Sequence, residues 1–495
     1  MVVVAGPTPT PIPPTPTPSV VPPTATPTII PPTPTPTPTA TAPTPTPTVT
    51  LQPAGNTYSY YLPFLANSAS GFTSYLALQN NGSAGANITV NFYNQAGVTL
   101  AEATIATTVA KYGEILPANP FAAGATGAGI VTSDQPLNLI VAEATPFGGS
   151  AYSVRQGSAA DLLLPFAINN SGGFNTQLTI FNGGAGSTTA QITFYDSNGN
   201  SPAGSGQNIT ILAHQSFTLD QTVMTGSNPS HLPSGFYGWA RISGAAGSQL
   251  VAQVLEQNPG NRFVAIANAQ TSPKNVLYAP AVFNQAYGGF VTGANIVNPN
   301  NYSVTVSVAF YSLTGGVPVT TTVATLGPNG ILPLYQGGNN SGLPLTFAGA
   351  AVVTSTGGGV IMVVNETNTS VTTGSQSGTY SAAGGGTSTI GLPVVANGGF
   401  GYTTGTTIFN ASNTATTFTL TYYNLDGTPI AGVLATSYTL PPYASQGIFQ
   451  GGVTGLVYGT AVLTQTGGAA NALIDTTNAV NGLASLFYTY TEPNQ

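Results

Sequence analysis

Charged side chains are almost absent from this 495-residue chain, which has five Lys and Arg and twelve Asp and Glu, or 3% of the sequence. Soluble domains usually carry about 25% charged residues. Five basic residues are too few to neutralise a phosphate backbone, so nucleic acid is excluded as a partner. Solubility must come from Thr, Ser, Asn and Gln or from attached sugar. A surface with so little charge repels its neighbours weakly, which favours close self-association.

Cysteine is also absent, which excludes a disulfide framework and a thiolate metal site. No apolar stretch reaches the roughly 18 residues that span a bilayer, so no membrane span is expected. Residues 1–5 lack the positive region of a signal peptide, and no signal peptide is evident. A cysteine-free chain of this composition fits a secreted bacterial protein, and we expect an extracellular or cell-surface location.

Proline and threonine dominate the N-terminal segment, with 18 prolines and 16 threonines in residues 1–50. Proline fixes φ and removes the amide donor, so residues 1–55 are predicted to form an extended polyproline II tail. At a rise of 3.1 Å per residue the tail would be about 150 Å long. Segments of this composition are often O-glycosylated stalks. The candidate glycosylation sites are Thr8, Thr10, Thr15, Thr17, Thr24, Thr33, Thr35, Thr37, Thr44 and Thr46.

An aliphatic stripe runs along the predicted tail, where an Ile or Val precedes Pro-Pro-Thr every nine residues. Nine residues make three turns of polyproline II, so these side chains fall on one edge, about 28 Å apart. A free linker gains nothing from such a stripe, whereas a tail that docks along a protein surface does. The β-branched run at the N-terminus could also add a strand to an exposed sheet edge. The residues expected to mediate assembly are Val2, Val3, Val4, Ile12, Val21 and Ile30.

The rest of the chain consists of four internal repeats. Each repeat opens with a short apolar strand around a proline, then has a Gly-Phe pair and a strand that ends in Asn. In every copy an aromatic pair ends thirteen residues after that Asn, and a glycine follows four residues later. The second aromatic residues are Tyr93, Tyr195, Tyr311 and Tyr423, and the glycines are Gly97, Gly199, Gly315 and Gly427.

The local pattern within the repeats is that of β-strands. Residues 417–422 alternate with period two, as half-buried strands do, and Asx- and Gly-rich turns punctuate the strands as hairpin loops. No sustained helical periodicity occurs. The opening prolines lie 102, 115 and 113 residues apart, a usual size for a sandwich domain. The sequence therefore predicts an all-β protein with four tandem Ig-like β-sandwich repeats, at residues 56–158, 159–273, 274–387 and 388–495.

These repeated elements resemble uncharacterised repeats in secreted, Thr/Pro-stalked surface proteins of environmental, Chloroflexota-like bacteria, of the fibril-forming glycoprotein type. The matching features are the opening Leu-Pro, the Gly-Phe pair, the strand ending in Asn and the aromatic–glycine hairpin, across residues 56–495. The resemblance implies a surface location and structural use. No catalytic residue belongs to the shared pattern.

Catalytic and metal-ligating side chains do not recur from repeat to repeat. Both histidines, His214 and His231, lie in the second repeat, and we interpret them as surface or loop residues. Glycoside hydrolysis needs two acids at one cleft, whereas Glu366 is the only acid of the third repeat. Asp196 begins a segment like a calcium loop, but the downstream glutamate of such loops is missing, which favours a turn. We expect no enzyme activity, no metal and no cofactor other than covalent glycans.

The single tryptophan suggests a contact site. If the alternate residues of its strand face the core, Trp239 and Arg241 both face outward on one side of the strand. An exposed Trp beside Arg is a typical anchor for a partner or a sugar ring. The alternative is a tryptophan covered by a loop of its own domain. The counterparts of Trp239 in the other repeats are Ala128, Ala350 and Thr460.

The function predicted from these features is that of a structural subunit of a bacterial extracellular fibril, sheath or surface layer. The main partner would be further copies of the chain, bound through the tail, and glycans are the other partner class considered. The alternative is a monomeric adhesin or glycan-binding stalk, in which the tail is a free linker. A secreted hydrolase is the least favoured class because acids and bases are scarce.

Protein isolated from its native producer is expected to be heavier than the bare polypeptide, because the chargeless Pro/Thr tail needs solubilising sugar. Intact-mass spectrometry measures the excess, and peptide mapping of residues 8–48 locates it. A mass equal to that of the polypeptide would refute the predicted glycosylation.

Overall fold

The computed structural model describes residues 57–100, 104–145, 148–202, 205–221, 232–368, 376–481 and 486–490. Ala54–Gln495 forms one compact unit. Among the described residues the regular structure consists of β-strands and short 3₁₀ turns, without an α-helix, so the predicted all-β fold is confirmed. The predicted tail sites lie outside the described residues, as does His231; these sites are Val2, Val3, Val4, Ile12, Val21 and Ile30 for assembly, and Thr8, Thr10, Thr15, Thr17, Thr24, Thr33, Thr35, Thr37, Thr44 and Thr46 for glycosylation.

Each repeat contributes eight strands. The fifth strand is shorter in the first repeat than in the others. The first repeat contains β1 (Tyr58–Ala69), β2 (Phe72–Asn80), β3 (Ala86–Asn94), β4 (Ile105–Val109), β5 (Glu114–Ile115), β6 (Ala125–Ser133), β7 (Leu137–Thr145) and β8 (Gly148–Ser153). The second contains β9 (Asp161–Ser171), β10 (Phe174–Asn182), β11 (Thr188–Asp196), β12 (Gln207–Ile211), β13 (Ser216–Asp220), β14 (Phe236–Gly244), β15 (Leu250–Asn258) and β16 (Phe263–Asn268). The third contains β17 (Val276–Ala286), β18 (Phe290–Val297), β19 (Val304–Ser312), β20 (Thr320–Leu326), β21 (Ile331–Tyr335), β22 (Phe347–Thr356), β23 (Ile361–Asn368) and β24 (Gln376–Ser381). The fourth contains β25 (Thr389–Ala396), β26 (Tyr402–Asn410), β27 (Thr416–Tyr423), β28 (Thr436–Leu440), β29 (Ser445–Phe449), β30 (Tyr458–Gly467), β31 (Leu473–Asn481) and β32 (Leu486–Tyr490).

All four repeats have the same strand order. Counting the strands of a repeat from one to eight, one antiparallel sheet runs 4-3-6-1 and the other has strand 2 paired with strands 5 and 7, and strand 7 paired with strand 8. In the first three repeats strand 1 bends and also pairs with strand 2, which links the two sheets. In the fourth repeat a 3₁₀ turn at Gly399–Gly401 lies between these strands, and the sheets stay separate.

The aromatic–glycine hairpins occupy equivalent places, as the spacing predicts. Each hairpin tyrosine lies at or next to the end of the third strand of its repeat, on β3, β11, β19 and β27. The third strand alternates cleanly between core and solvent. In β19, for example, Val304, Val306, Val308 and Phe310 are buried, whereas the intervening residues face outward or are half-buried. Each repeat has an apolar core between its two sheets, and the cores of the first two repeats also include side chains of the next repeat.

The repeated Asn after the second strand connects two loops. The side-chain amide of Asn80 donates to the carbonyl oxygens of Ala84, at 2.7 Å, and Val109, at 2.9 Å, while its Oδ1 accepts the backbone N–H of Gly82. The other three copies repeat this arrangement around Asn182, Asn298 and Asn410. All four asparagines are buried. A buried amide that satisfies several backbone groups explains why Asn recurs there.

The four repeats form a closed cycle around a common axis. The eighth strands, β8, β16, β24 and β32, contact one another in that order, and β32 contacts β8. Hydroxyl groups link neighbouring strands at the axis: Ser150 Oγ accepts the N–H of Ile266 at 3.0 Å, and Ser377 Oγ accepts that of Val264 at 3.1 Å. The first repeat therefore touches both the second and the fourth. We name the four contacts joints 1–2, 2–3, 3–4 and 4–1.

The hairpin glycine of each repeat forms the joint with the next. It lies against the loop between strands 4 and 5 of the following repeat, and a Cβ added there would come within 1.9 to 2.3 Å of a backbone carbonyl oxygen. Its φ is also positive, between +67° and +86°. Both the close approach and the left-handed backbone require glycine. The oxygens that such a Cβ would meet are those of Ala213 for Gly97, Pro328 for Gly199, Pro442 for Gly315 and Lys111 for Gly427.

Replacing Gly199 by alanine should open joint 2–3, because the new Cβ would meet the Pro328 oxygen at 1.9 Å. Gly235 is the matched control, since its φ of +85° equals that of Gly199 at +86° within a degree, but nothing lies within 4 Å of its Cβ position. Both variants carry the strain of a left-handed alanine. We expect Gly199→Ala to lower the free energy of unfolding by about 1–3 kcal/mol more than Gly235→Ala. Denaturant unfolding measures the difference, and equal losses would show that the close contact contributes nothing.

Candidate assembly and ligand-binding sites

Aromatic contacts surround the glycine at three of the four joints. Tyr93 stacks on His214 with ring centroids 4.4 Å apart, and Tyr311 stacks on Tyr443 at 4.7 Å. At joint 4–1 Tyr423 meets Tyr112 at 4.8 Å in a tilted arrangement. The partner in each pair has a positive φ in the loop between strands 4 and 5. His214 is therefore a loop residue, as interpreted from the sequence, and its ring belongs to joint 1–2.

Trp239 supplies the missing aromatic contact at joint 2–3. The loop residue there is Asn329, which has the same left-handed backbone but no ring. Trp239 stacks on Tyr195 at 4.8 Å and donates its indole N–H to the carbonyl oxygen of Asn329 at 2.7 Å. Its side chain is fully buried. The apolar side chains that pack with it are Leu163 of the second repeat and Val297, Ile331 and Ile361 of the third.

Neither alternative for Trp239 holds: it is not exposed, and the residues that cover the outer face of β14 belong to the third repeat, not to a loop of its own repeat. Trp239 and Arg241 do lie on the same side of the strand, as alternation requires. Arg241 pairs with Asp161 at 2.6 Å and donates to the carbonyl oxygen of Pro299 in the third repeat at 3.4 Å. This pair is the only salt bridge in the described part of the chain, and both side chains remain partly exposed. A partly exposed pair contributes at most about 1 kcal/mol.

An open groove lies at joint 4–1, with a volume of about 660 Å³. Its walls carry Tyr75, which is 58% exposed, and Phe400, which is 71% exposed. Leu116, Tyr402 and Tyr458 add further aromatic and apolar surface, and none of the described residues that line the groove is charged. We call this site the aromatic groove. A groove of this volume, lined mainly by apolar and aromatic side chains, has the size and lining of a ligand-binding site.

A smaller groove of about 420 Å³ occurs at the corresponding position of joint 2–3. It has Tyr237 in the place of Tyr458, and Glu256 where the aromatic groove has Ala479. Glu256 and Ala479 occupy equivalent positions, because each pairs with a threonine that lies six residues before the buried Asn at the end of the second strand of its repeat. The absence of the acid in the fourth repeat therefore leaves the larger groove apolar.

Buried glutamates occupy that same strand position in the other three repeats. Glu143, Glu256 and Glu366 pair in register with Ser74, Thr176 and Thr292. All three are buried. Their carboxylates accept hydrogen bonds from the following groups: Ser74 Oγ at 2.8 Å to Glu143, Asn365 Nδ2 at 2.8 Å to Glu256 and Thr489 Oγ1 at 3.2 Å to Glu366. Because Asn365 and Thr489 belong to the next repeat, two of the three acids also connect repeats.

Sequence reasoning missed this set because the interval from the loop-linking Asn to the glutamate differs between repeats. The intervening loops vary in length, so no fixed spacing marks the glutamates. A different signal marks them: each Glu lies six residues after an apolar residue at or next to the start of the seventh strand. Those apolar residues are Leu137, Leu250 and Val360.

Burial changes the acidity of these groups. Loss of water raises the pKa of Glu143 and of Glu366 to about 8, and that of Glu256 to about 7. Burial also raises the pKa of Glu114, whose carboxylate accepts a hydrogen bond from Tyr458 at 3.3 Å across joint 4–1. These carboxyl groups are therefore held largely in their neutral form below neutral pH.

The loop that begins at Asp196 is a hydrogen-bonded turn. Asp196 Oδ1 accepts the backbone N–H groups of Asn198, at 2.9 Å, and Asn200, at 2.8 Å, which makes the predicted turn. In the described ranges no three His, Asp or Glu side chains come together as a metal would require. The same residues include no helix with the length and apolar character needed to cross a membrane.

A second cavity, of about 600 Å³, lies at the ends of β8, β16 and β24, where the segments that connect the repeats converge. We call it the axial cavity. Its lining includes Arg155, which follows β8, and Lys274, which precedes β17. The rest of the lining is mostly polar and neutral. It also includes Gly384, Gly385 and Gly386.

The buried glutamates should make the protein less stable as the pH rises. Their pKa in the folded state lies above the ordinary 4.5, so the folded state holds protons that the unfolded chain releases. The folded state is favoured most below pH 4.5, and this advantage is lost as the pH rises to about 8. We expect a higher melting temperature at pH 5 than at pH 8.5, and a smaller difference in Glu143→Gln and Glu366→Gln. Unchanged pH dependence in both variants would contradict the assignment.

Known proteins give no direct indication of identity for this chain. No protein-family model matches it, and no curated protein matches it either. What the protein does must therefore be inferred from the joints, the aromatic groove and the axial cavity.

Proposed function

We propose that the protein is a structural subunit of a bacterial extracellular fibril, sheath or surface layer, and that copies of it assemble through the Pro/Thr-rich tail. It is a cell-surface glycoprotein and not an enzyme in this proposal, in keeping with its resemblance to stalked surface proteins of Chloroflexota-like bacteria. The observation that carries the proposal is an uncharged aromatic groove on a chain that also has an uncharged, proline-rich tail.

The groove has the chemistry that proline-rich segments bind. Polyproline II segments dock in aromatic-lined grooves, since the stiff backbone loses little entropy on binding. Tyr75 and Phe400 present exposed rings on the two sides of joint 4–1. Residues 1–50 contain no charged side chain, and the groove lining contains none. The occupant we assign is therefore the tail of a second copy of the chain.

Free sheet edges provide a second attachment site. The fourth strand of each repeat, β4, β12, β20 or β28, is the outer edge of its sheet. None of these strands contains a charged residue or a proline, the features by which natural edges prevent strand addition. The longest is β20, in which Val323 is 66% exposed. The run of Val2, Val3 and Val4 is a suitable added strand in a neighbouring copy.

The adhesin alternative has one observation in its favour. Exposed aromatic rings such as those of Tyr75 and Phe400 also stack on sugar rings. In an adhesin the groove would bind an external glycan and the tail would remain a linker. The fate of the tail therefore separates the two functions.

Deleting residues 1–50 should yield folded protein that no longer assembles, because the compact unit begins at Ala54. Electron microscopy shows whether fibrils or sheets form, and circular dichroism shows whether the fold is retained. Normal assembly of the truncated protein would exclude assembly through the tail.

The groove itself is tested in the full-length chain with Phe400→Ala. Tyr287→Ala is the matched control, because both residues are exposed aromatics with positive φ that pack edge-on against another ring. We expect Phe400→Ala to weaken binding of a synthetic peptide of residues 7–34 to the truncated protein at least tenfold, and to impair assembly. The control should bind within twofold of the unmodified protein. Equal binding by both variants would place the tail elsewhere.

A further inference from the structure

The axial cavity collects positive charge in a chain that has very little. Two of the five basic residues, Arg155 and Lys274, line it, whereas no Asp or Glu does. Within the described part of the chain the only salt bridge is the distant pair of Arg241 and Asp161, so neither cavity cation has a carboxylate partner there. Two such charges in one concave site attract anions to it, because a low-dielectric wall focuses their field.

Local packing positions Lys274 at the cavity wall. Lys274 lies over Gly384, where an added Cβ would meet its Cγ at 2.6 Å, so the glycine makes room for the lysine stem. The backbone of Lys274 is fixed by reciprocal hydrogen bonds with Val360, both of 2.9 Å. Arg155 and Lys274 are both exposed, so their charged groups are accessible to a ligand.

The neutral part of the lining suits a polyhydroxylated ligand. Gln156, Ser272 and Ser381 offer amide and hydroxyl groups to the space. Tyr152 and Tyr380 also line it, but their hydroxyls bond the carbonyl oxygens of Phe64 and Ala281, which are not part of the lining. Both side chains are buried in the apolar cores of their repeats, so they support the cavity wall and offer almost no surface to a ligand. At about 600 Å³ the cavity is in the size range of small-molecule sites.

We propose that the axial cavity binds an acidic oligosaccharide, with a uronate carboxylate between Arg155 and Lys274. The arginine and the lysine supply the charge-assisted hydrogen bonds that a carboxylate prefers. The amides and hydroxyls bond the sugar hydroxyls. Two cations match one or two carboxylates, not the dense charge of a polyphosphate. This binding site is independent of the tail and of the aromatic groove.

Isothermal titration of the full-length protein with trigalacturonate tests the proposal. We expect saturable binding that weakens as sodium chloride rises from 20 to 200 mM. Arg155→Gln and Lys274→Gln should each weaken binding at least tenfold. Lys111→Gln is the matched control, because it removes an equal charge at a tyrosine ring outside the cavity and should change binding less than twofold. Melting curves establish that all three variants are folded.

Two further ligands separate the sources of binding. Maltotriose, which is neutral, should bind at least tenfold more weakly than trigalacturonate, and sodium sulfate should compete only weakly. The proposal is overturned if trigalacturonate does not bind, if maltotriose binds equally well, or if the cavity variants behave like Lys111→Gln. Binding of sulfate alone, with the same dependence on Arg155 and Lys274, would identify an inorganic-anion site and would also overturn the sugar assignment. Assembly of the cavity variants should be normal, which distinguishes failure here from failure of the proposed function.

Discussion

The contact of a hairpin glycine with a backbone carbonyl of the next repeat is the constraint on which the arrangement of the repeats depends. It occurs once at each joint, and only a residue without a side chain can make it at distances near 2 Å from the Cβ position. Backbone hydrogen bonds surround it, such as Gly316 N–H to Pro442 O at 2.8 Å and Glu114 N–H to Leu425 O at 2.9 Å. The repeats therefore associate through main chain, aromatic rings, apolar side chains and a few buried polar groups, which is how a chain with 3% charged residues can form four specific interfaces.

The sequence predicts the parts of this arrangement that depend on fixed local spacing, and not those that depend on contacts between repeats. The all-β fold and the equivalence of the four hairpins follow from alternation and from the interval between Asn and Tyr. The sequence does not show why the hairpin glycine is required, because the carbonyl that it contacts lies in another repeat, at a variable distance along the chain. The surroundings of Trp239 cannot be predicted for the same reason: alternation correctly places it on the outer face of β14, but that face is an interface between repeats. The buried glutamates follow loops of unequal length, so no periodicity marks them.

Burial of Glu114, Glu143, Glu256 and Glu366 makes the surface still less charged than the composition indicates. The formal net charge of −7 counts each of them as ionised, whereas burial raises the pKa of all four. Near neutral pH much of that charge is therefore absent. Electrostatic repulsion between copies is correspondingly weak, which is unfavourable for a dispersed monomer and suitable for a protein that packs against itself.

Closure of the cycle also limits how copies could assemble under the proposed function. Each repeat already uses its hairpin and its loop between strands 4 and 5 at a joint, and the fourth repeat returns to the first, so no unpaired joint is left to continue the series. Head-to-tail interfaces that do not close into a ring extend into a filament. The four joints of this chain do close into a ring within a single copy. Polymerisation must then use other surfaces, and the free outer strands and the aromatic groove remain. Both could accept extended main chain, which is the conformation that proline-rich segments favour.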